Sequence, residues 1–591
     1  MATICDSCRQ YLKDFMEMIE RAVEELLEKI KEFFQKIQSC SCLKRKRSEP
    51  DRLYKPVLQL HEKEAAQEFL QHIEEASENK VIDWESLKAL QTLAASENPG
   101  LQQSAALYYL HISEQQHQTQ ANHVPDAKVK SELPEEYLEP YHNLLQSSDL
   151  EVQRKASLSL VNLLVEGNVN KEKVVQIGLL EPILELLGSG DATVQCNSCA
   201  SIASLATSAL NRQAIASEGG ITPLLVLSKS YDPRVQQNAV GAILNLSRSE
   251  KIQLLLCREG ALPVLILHLQ SPDSEIQYYS CAALTNMASN PCHHQSMLQI
   301  GDGILLKMLL SLMSSSVEKV CCQACSCLKN LSLNEGIHTD TVSMNCLAQL
   351  HELLKSSSEN VNEAALILLS TLSENHSNMD AIVSENILNT LGKLLLVHKT
   401  SPGITYLVST IINKLATSDT QQAITDSQCA VALLQVLNCF RVESGSLLQA
   451  TACLAELTKY ETIGTQIIQE LDVNKITHLL MLANQSENND LSFQAACIIC
   501  YLGVDENFTL LLRPHAKEVV NYILYFLKHQ EVRFQHLGLL TLRNLSRDSY
   551  FVAMFDESEL KVQLRRVSQQ TAETQELLQA VLFHKEFQKH K

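Results

Sequence analysis

The sequence predicts an all-α solenoid, in which one helical unit of about forty residues stacks on copies of itself. Three observations carry this. In Asp232 to Glu250, DPRVQQNAVGAILNLSRSE, the residues Val235, Ala239, Ile243 and Leu246 form an apolar stripe at helical spacing. The opening of that segment recurs: Asp149-Leu-Glu-Val152-Gln, Asp191-Ala-Thr-Val194-Gln, Asp232-Pro-Arg-Val235-Gln and Asp273-Ser-Glu-Ile276-Gln place the anchors Val152, Val194, Val235 and Ile276 at steps of 42, 41 and 41 residues. A polar residue then follows each anchor ten positions on, at Asn162, Ser204, Asn245 and Asn286, with Asn330 following Val320 in the same way.

Each unit opens with a short polar helix. A Leu-rich second helix follows, often entered through Gly and Pro, as in Gly178 to Pro182, Gly219 to Pro223 and Gly260 to Pro263. Gly closes one helix in the left-handed region and Pro fits the first turn of the next. The third helix carries the anchor and the polar residue. Three helices per unit is the armadillo arrangement rather than the two-helix HEAT one, so the expected architecture is a right-handed superhelical armadillo solenoid of roughly eleven repeats.

In chain order, residues 1–43 hold a heptad helix and a Cys-rich segment, and 44–83 a basic linker and a polar helix. The solenoid spans 84–547 and a capping helix fills 548–591. The first unit starts at Trp84, and residues 114–133 read as an inserted polar loop. Later units drift in sequence but keep the offset of ten, at Val361 and Thr371, Ile404 and Lys414, Leu491 and Tyr501, Phe534 and Asn544.

Composition narrows the function. A formal charge of −19 makes the chain a poor general binder of nucleic acid, whose affinity rests on phosphate contacts. The 19 cysteines lie mostly inside the apolar pattern, as Cys196, Cys199, Cys281, Cys453, Cys497 and Cys500 do, and residues 1–30 lack a secretory signal. Both point to a reducing compartment with free thiols as core residues. Phosphate loops, nucleophile elbows and paired zinc motifs are absent, so neither an enzyme nor a cofactor is expected.

Leu12, Met16, Ile19, Val23, Leu26, Ile30, Phe33 and Ile37 form an unbroken heptad seam. Such a helix can dock on its own solenoid, pair with a partner helix or a second copy to give a homodimer, or lie in a membrane interface. Its many Glu residues disfavour the last. Behind it, Cys40 and Cys42 precede Lys44, Arg45, Lys46 and Arg47, and Cys5 and Cys8 lie nearby. Thiols beside a basic patch suit S-acylation reinforced by anionic lipid. A plain linker, an import signal at Lys44 to Arg47, and zinc on the four cysteines are the alternatives, the last disfavoured by the helix between the pairs.

Stacking turns the third helices to one side, so Asn162, Asn245, Asn286 and Asn330 are expected to line a concave groove and grip the backbone of an extended peptide. The competing reading has each Asn bond its neighbouring helix and lock the stack. The residues four before each Asn are Leu158, Gly241, Ala282 and Ser326, and the only Trp is Trp84. This disfavours an import receptor, which stacks Lys stems on Trp. Cys321, Cys322, Cys325 and Cys327 read as packing rather than a metal site, and His293 and His294 as a solvated turn between units.

With the Cys-rich start and the repeats together, the sequence resembles the vacuolar protein 8 family of membrane-bound armadillo proteins. The resemblance covers about residues 84–590 and is carried by LKALQTLAASENPGLQQSAAL at 87–107, LEPILELL at 180–187, PRVQQNAVGAILNLSRSE at 233–250 and EGALPVLILHLQSPDSEIQYYSCAALTNMA at 259–288. It implies a scaffold on the cytosolic face of the vacuole or lysosome that gathers autophagy factors, a myosin adaptor and organelle-contact proteins through its groove. One departure stands out. The family begins Met-Gly and is myristoylated, whereas residue 2 here is Ala. A soluble cytoplasmic or nuclear adaptor is the alternative.

Overall fold

The computed structural model of the chain describes residues 58–75, 84–121, 133–301, 303–439, 442–485, 487–567 and 571–582. The heptad residues Leu12 to Ile37, the cysteines Cys5, Cys8, Cys40 and Cys42, and the basic run Lys44 to Arg47 lie outside the described residues. Among the described residues every regular element is a helix. Two compact units divide the chain, one ending at Ala283 and the other beginning at Leu284, and each is a stack of three-helix repeats.

One repeat shows how sequence builds the unit. Ala209–Ser217 and Ile221–Leu227 are short, and Pro233–Leu246 is the long third helix. Asp232 starts the third helix from an extended conformation, its carboxylate accepting the Arg234 N–H, with Pro233 in the first turn. Val235, Ala239, Ile243 and Leu246 are all fully buried. Each large side chain so buried contributes about 1.5–3 kcal/mol. The same cap recurs at Asp149 and Asp191, each accepting two backbone N–H groups. These caps also link units: Gln103 Nε2 donates to Asp149 at 3.0 Å and Arg154 Nη2 to Asp191 at 2.6 Å.

From Gly178 to Gln428 the turn into the second helix holds a left-handed residue. Gly178, Gly219 and Gly260 supply it, with φ of 88°, 80° and 82°. From Leu284 on, after Gly303, non-glycine residues take over: Asn345, Asn386 and Gln428, with φ of 68°, 58° and 56°, precede the helices Cys346–Leu353, Ile387–Val397 and Cys429–Leu437.

Two expectations are corrected. Residues 114–121 are not loop, because the third helix of the first unit runs as Pro99–Ala121. Its polar run of Gln and His carries no helix breaker. The stretch read as one capping helix at 548–591 contains Ser549–Glu557, Leu560–Leu564 and Ala572–Leu582, the last packed on Val532–Leu545. At the other end Leu60–Glu75 packs on Trp84–Ala94, with Phe69 fully buried against Tyr108.

Candidate functional site: the third-helix face

The last four carbonyls of a helix have no partner within it. In several repeats the polar residue ten after the anchor supplies one. Asn245 Nδ2 donates to Ala203 O at 2.8 Å, Asn330 Nδ2 to Thr285 O at 3.0 Å, and Asn544 Nδ2 to Cys500 O at 3.0 Å. Lys414, which stands in the Asn position, donates to Ser370 O at 2.9 Å and pairs with Glu374 at 3.0 Å. All four carbonyls lie in the last turn of the preceding third helix, one residue before that unit's own polar position.

Two exceptions obey the same rule. Where the preceding helix is longer, the carbonyl nine after its anchor is no longer terminal. Leu150–Glu166 runs on, and Ser204 Oγ reaches Leu164 O at 3.1 Å instead. Pro99–Ala121 runs on further, and Asn162 Nδ2 bonds the Ser113 hydroxyl at 3.2 Å, which itself donates to Leu110 O.

Sequence reading missed a second rung seven residues earlier on the same face. Asn197 Nδ2 donates to Ser157 Oγ at 3.0 Å and approaches Arg154 O at 3.5 Å; Asn238 Nδ2 meets Cys196 O at 3.4 Å. The signal was legible, since both Asn residues stand three after their anchors.

Stacking leaves part of these amides open. Asn162, Asn245, Asn286 and Asn330 are half-buried, whereas Asn544 is buried. Among the described residues the Asn245 Oδ1 accepts no hydrogen bond, and Lys329 Nζ approaches the Asn330 Oδ1 at 3.4 Å. Around Asn245 the face is low: Ala200, Ser204 and Gly241 lie on it, and a methyl at Gly241 would meet only the Tyr279 ring, at 3.7 Å. From Leu284 on the third helices instead expose Ile367, Tyr406 and Tyr501, with Lys459 Nζ 5.7 Å above the Tyr501 ring.

Cys321, Cys325 and Cys327 are buried in the helix Glu318–Leu331. Among the described residues no group of three or more His, Cys, Asp or Glu is placed to hold a metal. Burial pushes the thiols of Cys199, Cys346 and Cys497 up to about 12, which leaves them protonated and unreactive. His293 and His294 do not sit in solvent. Asn290 caps a tight turn that carries both imidazoles inward, and His294 Nε2 lies 2.7 Å from Ala288 O. Among the described residues no single helix is long and apolar enough to cross a membrane. The bent pair Pro291–Gln299 and Ile304–Met313 reaches that length only together, with Leu305, Leu306, Leu309 and Leu310 buried.

Known proteins match this geometry. The armadillo/beta-catenin-like repeat family matches residues 208–248 and 249–289. Vacuolar protein 8 of Gibberella zeae is 42% identical over 127 residues, 22% of this chain and 20% of that protein. Vacuolar protein 8 of Komagataella pastoris is 40% identical over 139 residues, 24% and 22% of the two chains. The chain thus aligns with about a fifth of the length of these relatives, a narrower span than the 84–590 expected. Among solved structures, an engineered protein shares 21% identity with a TM-score of 0.56, covering 68% of this chain and 98% of that one. A structure from work on a phosphorylation switch between cadherin and beta-catenin shares 16% identity with a TM-score of 0.58, covering 83% and 96%. Both likenesses concern the fold alone. The helix triads and their carbonyl-bridged stacking give this chain an armadillo-repeat fold, and two of its repeats match the family model.

Proposed function

We propose that the chain is a non-enzymatic scaffold that holds extended partner segments along its third-helix face. The observation that supports this most is the half-used amide of Asn245. One N–H locks the stack, while the Oδ1 and the second N–H remain beside small residues that admit a ligand backbone. Asn162 extends the row within the same compact unit, and Asn286 and Asn330 hold the equivalent positions in the unit from Leu284 on. An extended peptide has one free donor and one free acceptor per residue, which this spacing of amides complements. The test is Asn245→Ala with Asn286→Ala, scored for partner-peptide affinity and melting temperature together. A fall in affinity with little thermal change supports the reading; a large thermal loss with unchanged affinity refutes it.

The scaffold is proposed to sit on the cytosolic face of a vacuolar or endolysosomal membrane, S-acylated at Cys40 and Cys42 with Cys5 and Cys8 in support. Lys44, Arg45, Lys46 and Arg47 add attraction to anionic lipid. The heptad residues Leu12 to Ile37 add a homodimer contact, so that two copies pool their acyl chains. Vacuolar protein 8 relatives motivate the location, and with it partners in autophagy, organelle inheritance and membrane contacts. Membrane fractionation after thioester cleavage by hydroxylamine tests it. Release to the soluble fraction, reproduced by Cys40→Ser with Cys42→Ser, supports the anchor. A chain that is soluble before treatment, or nuclear through Lys44 to Arg47, rejects it.

A further inference from the structure

The chain has 68 acidic and 49 basic side chains, so cations gathered without an ion-paired carboxylate run against its composition. Three are gathered so where third helices end and the first helices of the next repeats begin. Lys171 begins the helix Lys171–Gln176, and its Nζ reaches a neutral group, the Thr207 hydroxyl, at 3.1 Å. Arg212 Nη1 donates to the carbonyls of Ala206 and Thr207, each at 3.0 Å, and its buried Nε has no partner. Arg248 is exposed at the end of the helix Pro233–Leu246, thirteen residues after its anchor, where the preceding unit has Thr207.

Capping the end of Ala192–Leu205 accounts for where Arg212 lies, because a cation suits the negative pole of a helix. It does not account for Arg248 beside it. Burial lowers both Lys171 and Arg212, Arg248 lowers Arg212 further, and no carboxylate offsets either shift. The neighbouring Glu172 accepts a hydrogen bond from Ser208 at 3.0 Å. Among the described residues none of the three cations is in an ion pair. Like charges held together this way leave a site that an incoming carboxylate stabilises.

We propose that Lys171, Arg212 and Arg248 form an anchoring site for the carboxylates of an acidic segment of a partner protein, whose backbone continues past Asn245. Arg248 follows the helix end in a turn, its backbone N–H 3.4 Å from the Asn245 carbonyl, so a single strand can engage both. The proposal rests on the peptide-face reading above and adds the partner's chemistry to it. The guanidiniums also set a polarity for the segment, with its acidic end at the rim where the third helices terminate.

The test uses the full chain with labelled poly-glutamate and poly-glutamine peptides, measured by fluorescence anisotropy at low and at physiological salt. Arg248→Glu is the primary variant, because its side chain is exposed and carries no bond that the fold needs. Wild type is expected to bind poly-glutamate at least about tenfold better than poly-glutamine, with Arg248→Glu removing that preference and its salt dependence. Arg258→Glu, a cation elsewhere on the unit, should change neither. Equal binding of poly-glutamate by wild type and Arg248→Glu overturns the site. So does Arg248-dependent uptake onto phosphatidylserine vesicles without poly-glutamate binding, which would assign the cations to a lipid surface. Asn245→Ala separates the two readings: if it weakens both peptides while Arg248→Glu changes nothing, the face stands and the anchor falls. If Arg248→Glu alone acts, the anchor stands and the amide row falls.

Discussion

The repeats up to Ala283 and those from Leu284 on meet two identical demands with different residues. For the left-handed turn the first set uses Gly178, Gly219 and Gly260, and the second uses Asn345, Asn386 and Gln428. For the orphan carbonyl the first set uses Asn245, and the second uses Asn330, Lys414 and Asn544. What persists is a backbone requirement, a positive φ or a missing donor. Several side chains satisfy it, some at a conformational cost. The exposed rows between these positions answer to no such demand, and there the two sets diverge, small around Asn245 and bulky around Ile367 and Tyr406.

The largest expected effect separates two neighbouring glycines that look alike in sequence. At Gly219 a methyl would meet nothing within 4 Å, so its cost comes from φ of 80° alone. At Gly220 the φ is ordinary, but a methyl would lie 2.9 Å from the Ile215 carbonyl oxygen, Ile215 Cγ2 and Leu184 Cδ2. The carbonyl cannot swing aside. Gly220→Ala should cost about 2–3 kcal/mol of local stability, against about 1 kcal/mol for Gly219→Ala. Because a repeat array need not melt in one step, amide hydrogen exchange within Ala209–Leu246 is the appropriate measure. Equal costs at the two sites would show that the packing against Leu184 is slack.

Next in size is the amide row. Asn544→Ala removes the donor from Cys500 O at a buried site and should cost about 1–2 kcal/mol. Asn245→Ala leaves Ala203 O closer to water and should cost about half as much. Restoring a donor of different shape, Asn544→Lys, tests whether the row demands an amide or only an N–H, as Lys414 implies. Exchange protection around Cys500 that recovers with Lys would settle it for the donor.

Much of the fold was legible because its signals repeat. Asp149, Asp191 and Asp232 announced the caps, Val152, Val194 and Val235 the anchors, and the steps between them the stacking. Singular features were not legible. Nothing in EQQHQTQ marked where the helix Pro99–Ala121 would end, and that length redirects Asn162 to Ser113. His293 and His294 look solvent-bound in sequence because burial of an imidazole depends on a turn geometry set by Asn290 and on the Ala288 carbonyl that receives it. The Asn positions were legible as a row, but not as donors to terminal carbonyls, since that role depends on where the preceding helix stops.

A gain rather than a loss tests the turn comparison. Gln428 has a side chain with a Cβ and no short polar group to stabilise the left-handed region, unlike Asn345 and Asn386. Gln428→Gly should therefore stabilise the turn before Cys429–Leu437 by about 1 kcal/mol, net of the added freedom of the unfolded chain. Asn345→Gly should gain less. A higher thermal midpoint for the first variant than for the second supports that order.

The smallest effect concerns charge between units. Asp191 caps its helix and receives Arg154 of the preceding repeat at 2.6 Å; that hydrogen bond, chiefly, holds the Asp191 carboxyl below its ordinary range. A depressed pKa in the folded state adds stability above the unfolded value, near 3.9, and that stability disappears as pH falls through the folded value. Asp191→Asn keeps a competent cap but loses the charge. It should be less stable than wild type at neutral pH by under about 1 kcal/mol, because Arg154 stays partly solvated. The two proteins should converge in acid, where wild-type Asp191 is itself neutral. Repeating the titration with Arg154→Met assigns the cause. If the neutral-pH gap closes, the guanidinium supplies it; if the gap persists, the N–H groups of Thr193 and Val194 do, and the link between repeats at this point is packing alone.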